Sequence, residues 1–215
     1  MIIGTTSWQV PGTYLENCDI LKKSVDFVEL LIYSWDDDIK ELIQKEIDSI
    51  ESQVKYSVHL PTNTLEHIKS AGEFFSSKKS FNMVMHPLGD LEEFRKVFLY
   101  LKKKSSDKIS LENLENDKFE IYYEKIKDLN PKITLDYGHL ILKEKSPENF
   151  IKNYSNICEI HFHGVANNKD HSEPSIDQIK IFKNFYNKYF KDIPVCVETF
   201  KLEKTLNTIK ELKML

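Results

Sequence analysis

The sequence predicts a (β/α)8 barrel formed as one domain over residues 1–215. Three observations carry this reading. Eight short runs rich in Val, Ile, Leu and Phe alternate with longer charged segments whose apolar residues recur every three or four positions. Strict alternation of this kind implies parallel strands joined by right-handed crossovers, and eight units are enough to close a barrel. No linker or low-complexity stretch divides the chain. The length is near the lower limit for such a barrel, about 200 residues, so the connecting loops must be short.

In chain order the expected strands are Ile2–Thr6, Phe27–Ile32, Tyr56–Leu60, Phe81–His86, Ile109–Leu111, Ile133–Asp136, Ile157–Phe162 and Val195–Thr199. Several end at Gly or Pro, which punctuate strands. The clearest intervening helix is DDDIKELIQKEIDSIESQV. Its aspartates, Asp36 to Asp38, cap the start, and Ile39, Leu42, Ile43, Ile47 and Ile50 make an apolar stripe.

The strand ends hold the chemistry. The third strand ends at His59, the fourth at His86, the fifth at Glu112, the sixth at Asp136 with His139 just after, the seventh at His161 with His163 beyond it, and the eighth at Glu198. From His59 to His161 the spacings are 27, 26, 24 and 25 residues, one βα unit each. Residues two apart on a strand share a face. Ser57, Val84, Ser110, Thr134, Glu159 and Cys196 therefore point inward beneath these ends, while Val58, Leu111, Leu135, Ile160 and Val197 face the helices. The polar set converges on the barrel mouth, where barrel enzymes keep their active sites. The segment GVANNKDHSEP reads as a loop over that mouth, returning Asp170 and His171 to it. A lone strand histidine is usually a satisfied structural residue, and His67, in a helical segment, has that reading. Six successive strand ends of His, His, Glu, Asp, His and Glu do not, because buried together without compensation they are costly. Metal cations supply the compensation.

A single-ion site needs only Glu112, Asp136, His161 and Glu198. His59, His86, His139, Asp170 and His171 are surplus to it, which points to two or three divalent ions sharing a carboxylate. Mixed His and carboxylate ligands favour Zn or Mn, with Fe also compatible. Paired ions about 4 Å apart are the usual arrangement for cleaving phosphoesters.

Composition narrows the substrate. Charged residues make up 30% and hydrophobic residues 40%, an ordinary balance for a globular protein. The net charge is −4 and Arg95 is the only arginine, so the electrostatic footprint expected of a duplex-DNA binder is missing and a small-molecule substrate is expected. There is no apolar run of about 18 residues and no basic, apolar leader in MIIGTTSWQV, so no membrane association is expected. Three scattered cysteines, Cys18, Cys158 and Cys196, suggest no disulfide framework; a reducing, cytoplasmic setting is expected. Nothing in the pattern assigns an oligomeric state.

The ordered motifs VHLP, MHPLGD, LENL, LDYGHL, IHFHG, DHS and VET resemble the xylose isomerase-like barrel superfamily, which includes the endonuclease IV family. The resemblance spans nearly the whole chain. Carried over, it implies one ion at His59, His86 and the bridging Glu112, a second completed by Asp136, His161 and Glu198, and a third at His139, Asp170 and His171. Asp170 and His171 are adjacent here, whereas the nucleases have a residue between them. A narrower match, GTTSWQVPGTYLENCDILKKSVDFVELLIY with YSVHLP, ISLENLEN, LDYGHLIL and HFHGV followed by DHS, is similar to the cobamide-remodelling phosphodiesterase family. That resemblance implies a metal-dependent hydrolase acting on the nucleotide-loop phosphodiester of a cobamide, releasing the lower-ligand riboside. Glu112 would sit at the catalytic centre with water as nucleophile, and His163 or His171 would protonate the leaving group. His163 is equally open to roles as ligand or substrate contact, and Trp8, Tyr33 and Trp35 to stacking on a corrin or base or to ordinary packing. Three other readings stay open: a sugar isomerase or epimerase of the same superfamily, an apurinic-site endonuclease, and a corrinoid- or metal-binding protein without activity.

Overall fold

The computed structural model describes residues 1–214. Its strands are β1 (Ile2–Thr6), β2 (Phe27–Leu31), β3 (Lys55–His59), β4 (Met83–Met85), β5 (Ile109–Glu112), β6 (Lys132–Asp136), β7 (Ile157–Phe162), β8 (Gly164–Ala166), β9 (Lys169–Ser172) and β10 (Pro194–Val197). Eight of them close into a barrel in the order β1-β10-β7-β6-β5-β4-β3-β2, and every neighbouring pair is parallel. The seam is made by the first and last strands, with Gly4 opposite Cys196. The predicted (β/α)8 barrel is the observed fold.

Helices α1 (Tyr14–Leu21), α2 (Asp37–Gln53), α3 (Leu65–Ser76), α4 (Leu91–Lys104), α5 (Lys118–Ile126), α6 (Tyr137–Leu142), α7 (Pro147–Asn153), α8 (Ile176–Tyr189) and α9 (Leu202–Met214) surround it. In α2 the side chain of Asp36 accepts from Ile39 N at 3.0 Å, the cap its sequence suggested. Ile43, Ile47 and Ile50 are buried on the stripe, while Ile39 and Leu42 are only half-buried. The β6–β7 connection holds two short helices instead of one. Asp136 caps the first of them, accepting from His139 N at 2.7 Å, so that one residue ends a strand and starts a helix.

The outward face of the strands packs against the helices through an apolar shell. The inward face is polar below the mouth. Ser57 Oγ donates to Glu159 at 2.9 Å, and Asn82 Nδ2 donates to Glu159 at 2.7 Å and to Ser110 at 2.9 Å. The alternation read from the sequence is thus observed strand by strand.

The loop expected over the mouth is a β8–β9 antiparallel hairpin. Its two-residue turn is Asn167–Asn168, both left-handed at φ 53° and 57°. Two consecutive positive φ values match the twist of a tight hairpin, and asparagine tolerates them better than other non-glycine residues. Among the described residues no helix is long and apolar enough to cross a membrane, and all three cysteines are free.

Candidate metal centre

The barrel delivers its strand-end side chains to one pole. Four groups of potential ligands form there, with the donor atoms of each group within 4.8 Å of one another: His59, His86 and Glu112; Glu112, Asp136, His161 and Glu198; His139, His163 and His171; and, one layer deeper, Glu29, His161 and Cys196. The first two groups share Glu112.

Glu112 is buried and spans them with its two oxygens. Its Oε2 lies 3.2 Å from His59 Nε2 and 2.8 Å from His86 Nε2. Its Oε1 lies 2.9 Å from His161 Nδ1, which is also 3.4 Å from Glu198 Oε2. Ring orientation is fixed from behind. His59 Nδ1 faces the Leu60 carbonyl at 3.0 Å and His139 Nδ1 faces the Asn113 carbonyl at 3.1 Å. A carbonyl only accepts, so these nitrogens carry protons, and in the neutral ring that a cation would meet each Nε2 lone pair faces the site. His161 is oriented by a carboxylate, with its Nε2 3.2 Å from Glu29 Oε2.

The third group departs from its expected composition. His163 lies beside His139 and His171, with ring centroids 5.4 Å and 4.3 Å away. Its Nε2 is 3.3 Å from Asp136 Oδ1, and its Nδ1 accepts a hydrogen bond from His171 N at 2.9 Å. Gly138 makes room for it, since a Cβ there would meet the His163 ring at 2.2 Å. The His163 side chain is buried. His171 is half-buried at the mouth. Its φ of 45° breaks strand alternation and lets the adjacent Asp170 stay near the site at the rim, 3.9 Å from His139 Nε2 and 3.8 Å from His171 Nε2.

The aromatic candidates divide. Tyr33 lines the cleft over the ligand cluster with His59, His86, Glu112, His139, His171, Glu198 and Phe200. Trp8 is exposed and packs edge-on against Tyr33 at 4.5 Å. Of the two readings left open for Trp35, packing is the observed one: it is 3% exposed, donates from Nε1 to Ser70 at 3.0 Å, and packs on Phe74 and Phe75. His67 stays outside the site, hydrogen-bonded to Asn63 at 2.9 Å.

Glu29 and Phe200 are the residues that sequence reading missed. Glu29 is a fully buried carboxylate in the run FVELL, and an acid amid buried aliphatics was the available signal. Phe200, two residues beyond Glu198, carried no such signal.

The electrostatics are those of a charge-compensated cluster. Burial opposes charge on His59, but the Glu112 carboxylate beside it outweighs this and lifts the imidazole to about 9. Burial likewise opposes charge on His163, and Asp136 raises it to about 9. Glu112 resists its own burial because His161 and His86 hold it well below the usual carboxylate range. Deeper in, burial and the neighbouring Glu29 push the Glu159 carboxyl up to about 8.

Two buried atoms test whether divalent cations fit. Asp136 Oδ2 and His163 Nε2 have no hydrogen-bond partner, although His139 Nδ1 lies 3.2 Å from the former and Asp136 Oδ1 3.3 Å from the latter. Unpaired buried polar atoms are costly, and both are natural ligands. The donor chemistry, the bare Nε2 atoms and these orphans fit metal ions.

No protein-family model matches the chain, and no curated protein matches it. Solved structures do. SacUVDE superposes with a TM-score of 0.69 at 13% identity, covering 99% of this chain and 98% of that one. The 3-keto-D-glucoside 4-epimerase YcjR from E. coli gives 0.69 at 12% identity, with full coverage of both chains. An AP endonuclease of family 2 from Brucella melitensis gives 0.65 at 12% identity, covering 97% and 96%. At such identities the likeness is one of fold.

Proposed function

We propose that this chain is a metal-dependent phosphodiesterase that hydrolyses the nucleotide-loop phosphodiester of cobamides. The observation that carries the hydrolase reading is Glu112, whose two oxygens face two different donor sets. A carboxylate so placed would be shared by two cations if both donor sets were filled, and paired cations suit phosphoryl chemistry. The cobamide substrate is supported by the motif resemblance and by the net charge of −4 with a single arginine, which suits a small molecule better than duplex DNA.

His59, His86 and Glu112 would hold one ion, and Glu112, Asp136, His161 and Glu198 a second. His139, His163 and His171, with Asp170 at the rim, would hold a third. Zn or Mn suits these ligands best, and Fe is compatible. When bound, the ions supply water activation and neutralise charge on the phosphoryl oxygens. The protein's residues do the rest. Leu60, Asn113 and Glu29 fix ring orientations and the barrel encloses Glu112, while His171 at the mouth would either complete the third ligand set or, free of metal, give a proton to the departing alkoxide.

Metal analysis of purified protein incubated with a cobamide tests the reading. Two or more ions per chain with riboside release is the expected result. A single ion without cleavage supports a sugar isomerase or epimerase instead, since Glu112, Asp136, His161 and Glu198 alone make a complete one-ion set, and epimerases share the fold. An apurinic-site endonuclease would nick abasic DNA with strong salt dependence.

A further inference from the structure

Beside the metal cleft lies a second cavity of about 430 Å3 that the phosphoryl chemistry does not use. Trp8, Val10, Pro11, Ile39, Leu42 and Phe200 form its walls. The volume falls in the range of small-molecule sites, about 300–1,000 Å3. Among the described residues, none of those lining it carries a formal charge, whereas the neighbouring cleft is lined by Glu112, Glu198 and the histidines His59, His86, His139 and His171.

The two spaces are continuous in their lining. Phe200 borders both, and its ring centroid is 5.1 Å from that of His171. Trp8 borders the cavity and touches Tyr33, which borders the cleft. An aromatic path therefore runs from the ligand cluster into an uncharged chamber. The exposure of Trp8 (53%) and Phe200 (37%) leaves their faces open.

The chamber is built in advance. Its wall is the turn after β1, held by one buried side chain: Asn17 Oδ1 accepts from Gln9 N and Val10 N, each at 3.1 Å, and Nδ2 donates to Val10 O at 3.1 Å and Thr13 O at 3.0 Å. Gln9 is itself spent on Thr5, Thr199 and Thr205, so it offers the chamber little polarity. The opposite wall is Ile39 and Leu42, the part of the α2 stripe left half-buried. A preorganised apolar wall binds a rigid ring without an ordering cost.

We propose that this chamber is a substrate subsite for a neutral, flat aromatic ring, the base of a nucleoside-like group whose phosphodiester reaches the metal cleft past Phe200. The volume suits a bicyclic base with its sugar and is too small for a corrin macrocycle. This deepens the phosphodiesterase reading and rests on it for the direction in which the substrate lies; binding of the ring itself does not depend on it.

The chain's two tryptophans make the test direct. Trp35→Phe leaves Trp8 as the only reporter. Adenosine titrated into this variant should quench its fluorescence saturably, with a midpoint below about 1 mM, and ribose should not. Leu42→Arg, which puts a charge into the chamber, should raise the midpoint about tenfold or more. Saturation-transfer NMR of adenosine on the unmodified protein and on Leu42→Arg gives the same comparison if Trp35→Phe does not fold. Absence of saturable binding up to about 10 mM, or equal binding by Leu42→Arg, overturns the subsite. Adenosine binding that Leu42→Arg weakens, in a protein that cleaves no phosphodiester, upholds the subsite and removes the phosphodiesterase reading. Cleavage without such binding does the reverse.

Discussion

The Nε2 atoms of His59 and His86 stand 3.0 Å apart, and both point at the same oxygen of Glu112. Two imidazoles turned nitrogen to nitrogen on a carboxylate are poor neighbours as neutral rings, since only a shared proton or a shared cation reconciles them. His86→Ala should therefore lower metal content by about one ion per chain, with circular dichroism unchanged, because His86 is half-buried at the rim. Unchanged stoichiometry by plasma mass spectrometry would remove His86 from the ligand set.

Glu112→Gln keeps the shape of the bridge and removes its charge. Turnover should fall at least about 100-fold, the scale of losing one charge-stabilising group at an active site, while the melting profile still shows a folded barrel. Near-normal hydrolysis would sink the bridging role.

Glu29 acts through His161. Replacing it by Gln leaves a hydrogen-bonding group but not a carboxylate behind the imidazole, and metal affinity should drop about 10- to 100-fold. Competition with a fluorescent chelator reads this without any substrate. An unaltered affinity would make Glu29 a filler of the barrel interior only.

Removal of metal should change the pH profile of stability. In the metal-free protein His59 and His163 have folded-state values raised from 6.5 to about 9. A raised value contributes stability that is full below the unfolded value and is lost as pH rises through the folded one. Glu159, raised from 4.5 to about 8, has the same sign. Glu112 is depressed, so its contribution is present above 4.5 and is lost as pH falls through its lower folded value. Denaturant titrations should show the metal-free protein weakening steadily from pH 6.5 to about 9, whereas the loaded protein, with cations in place of protons, should hold. Parallel profiles for both forms would contradict a site compensated by metal.

Gly138→Ala is a steric probe of His163. The added carbon would strike the ring, so His163 must move, and metal bound by the three-histidine group should be lost before the other two sets are affected. Full retention of every ion would show that the ring shifts freely.

The barrel and most of the cluster were legible because parity is rigid. Once a strand end is recognised, its side chain can face only inward or outward, and His59, Glu112, Asp136, His161 and Glu198 followed from that. What escaped depended on contacts distant in sequence. Trp35 stayed open between stacking and ordinary packing because its hydrogen-bond partner Ser70 and its packing partners Phe74 and Phe75 lie a helix away. The hairpin read as a loop because Asn167 and Asn168 signal a turn without naming its strands. Glu29 hid in an apolar run two residues deeper than the mouth.

The seam between β1 and β10 has a consequence for synthesis. A ribosome delivers the strand carrying Ile2 first and the one carrying Val197 last, yet the two pair directly. The nascent chain can stack its βα units in order, but the cylinder stays open until β10 emerges, and Glu198 arrives with it. The group of Glu112, Asp136, His161 and Glu198 is thus completed late, and β1 and β7 are the strands that wait with a bare edge until β10 arrives.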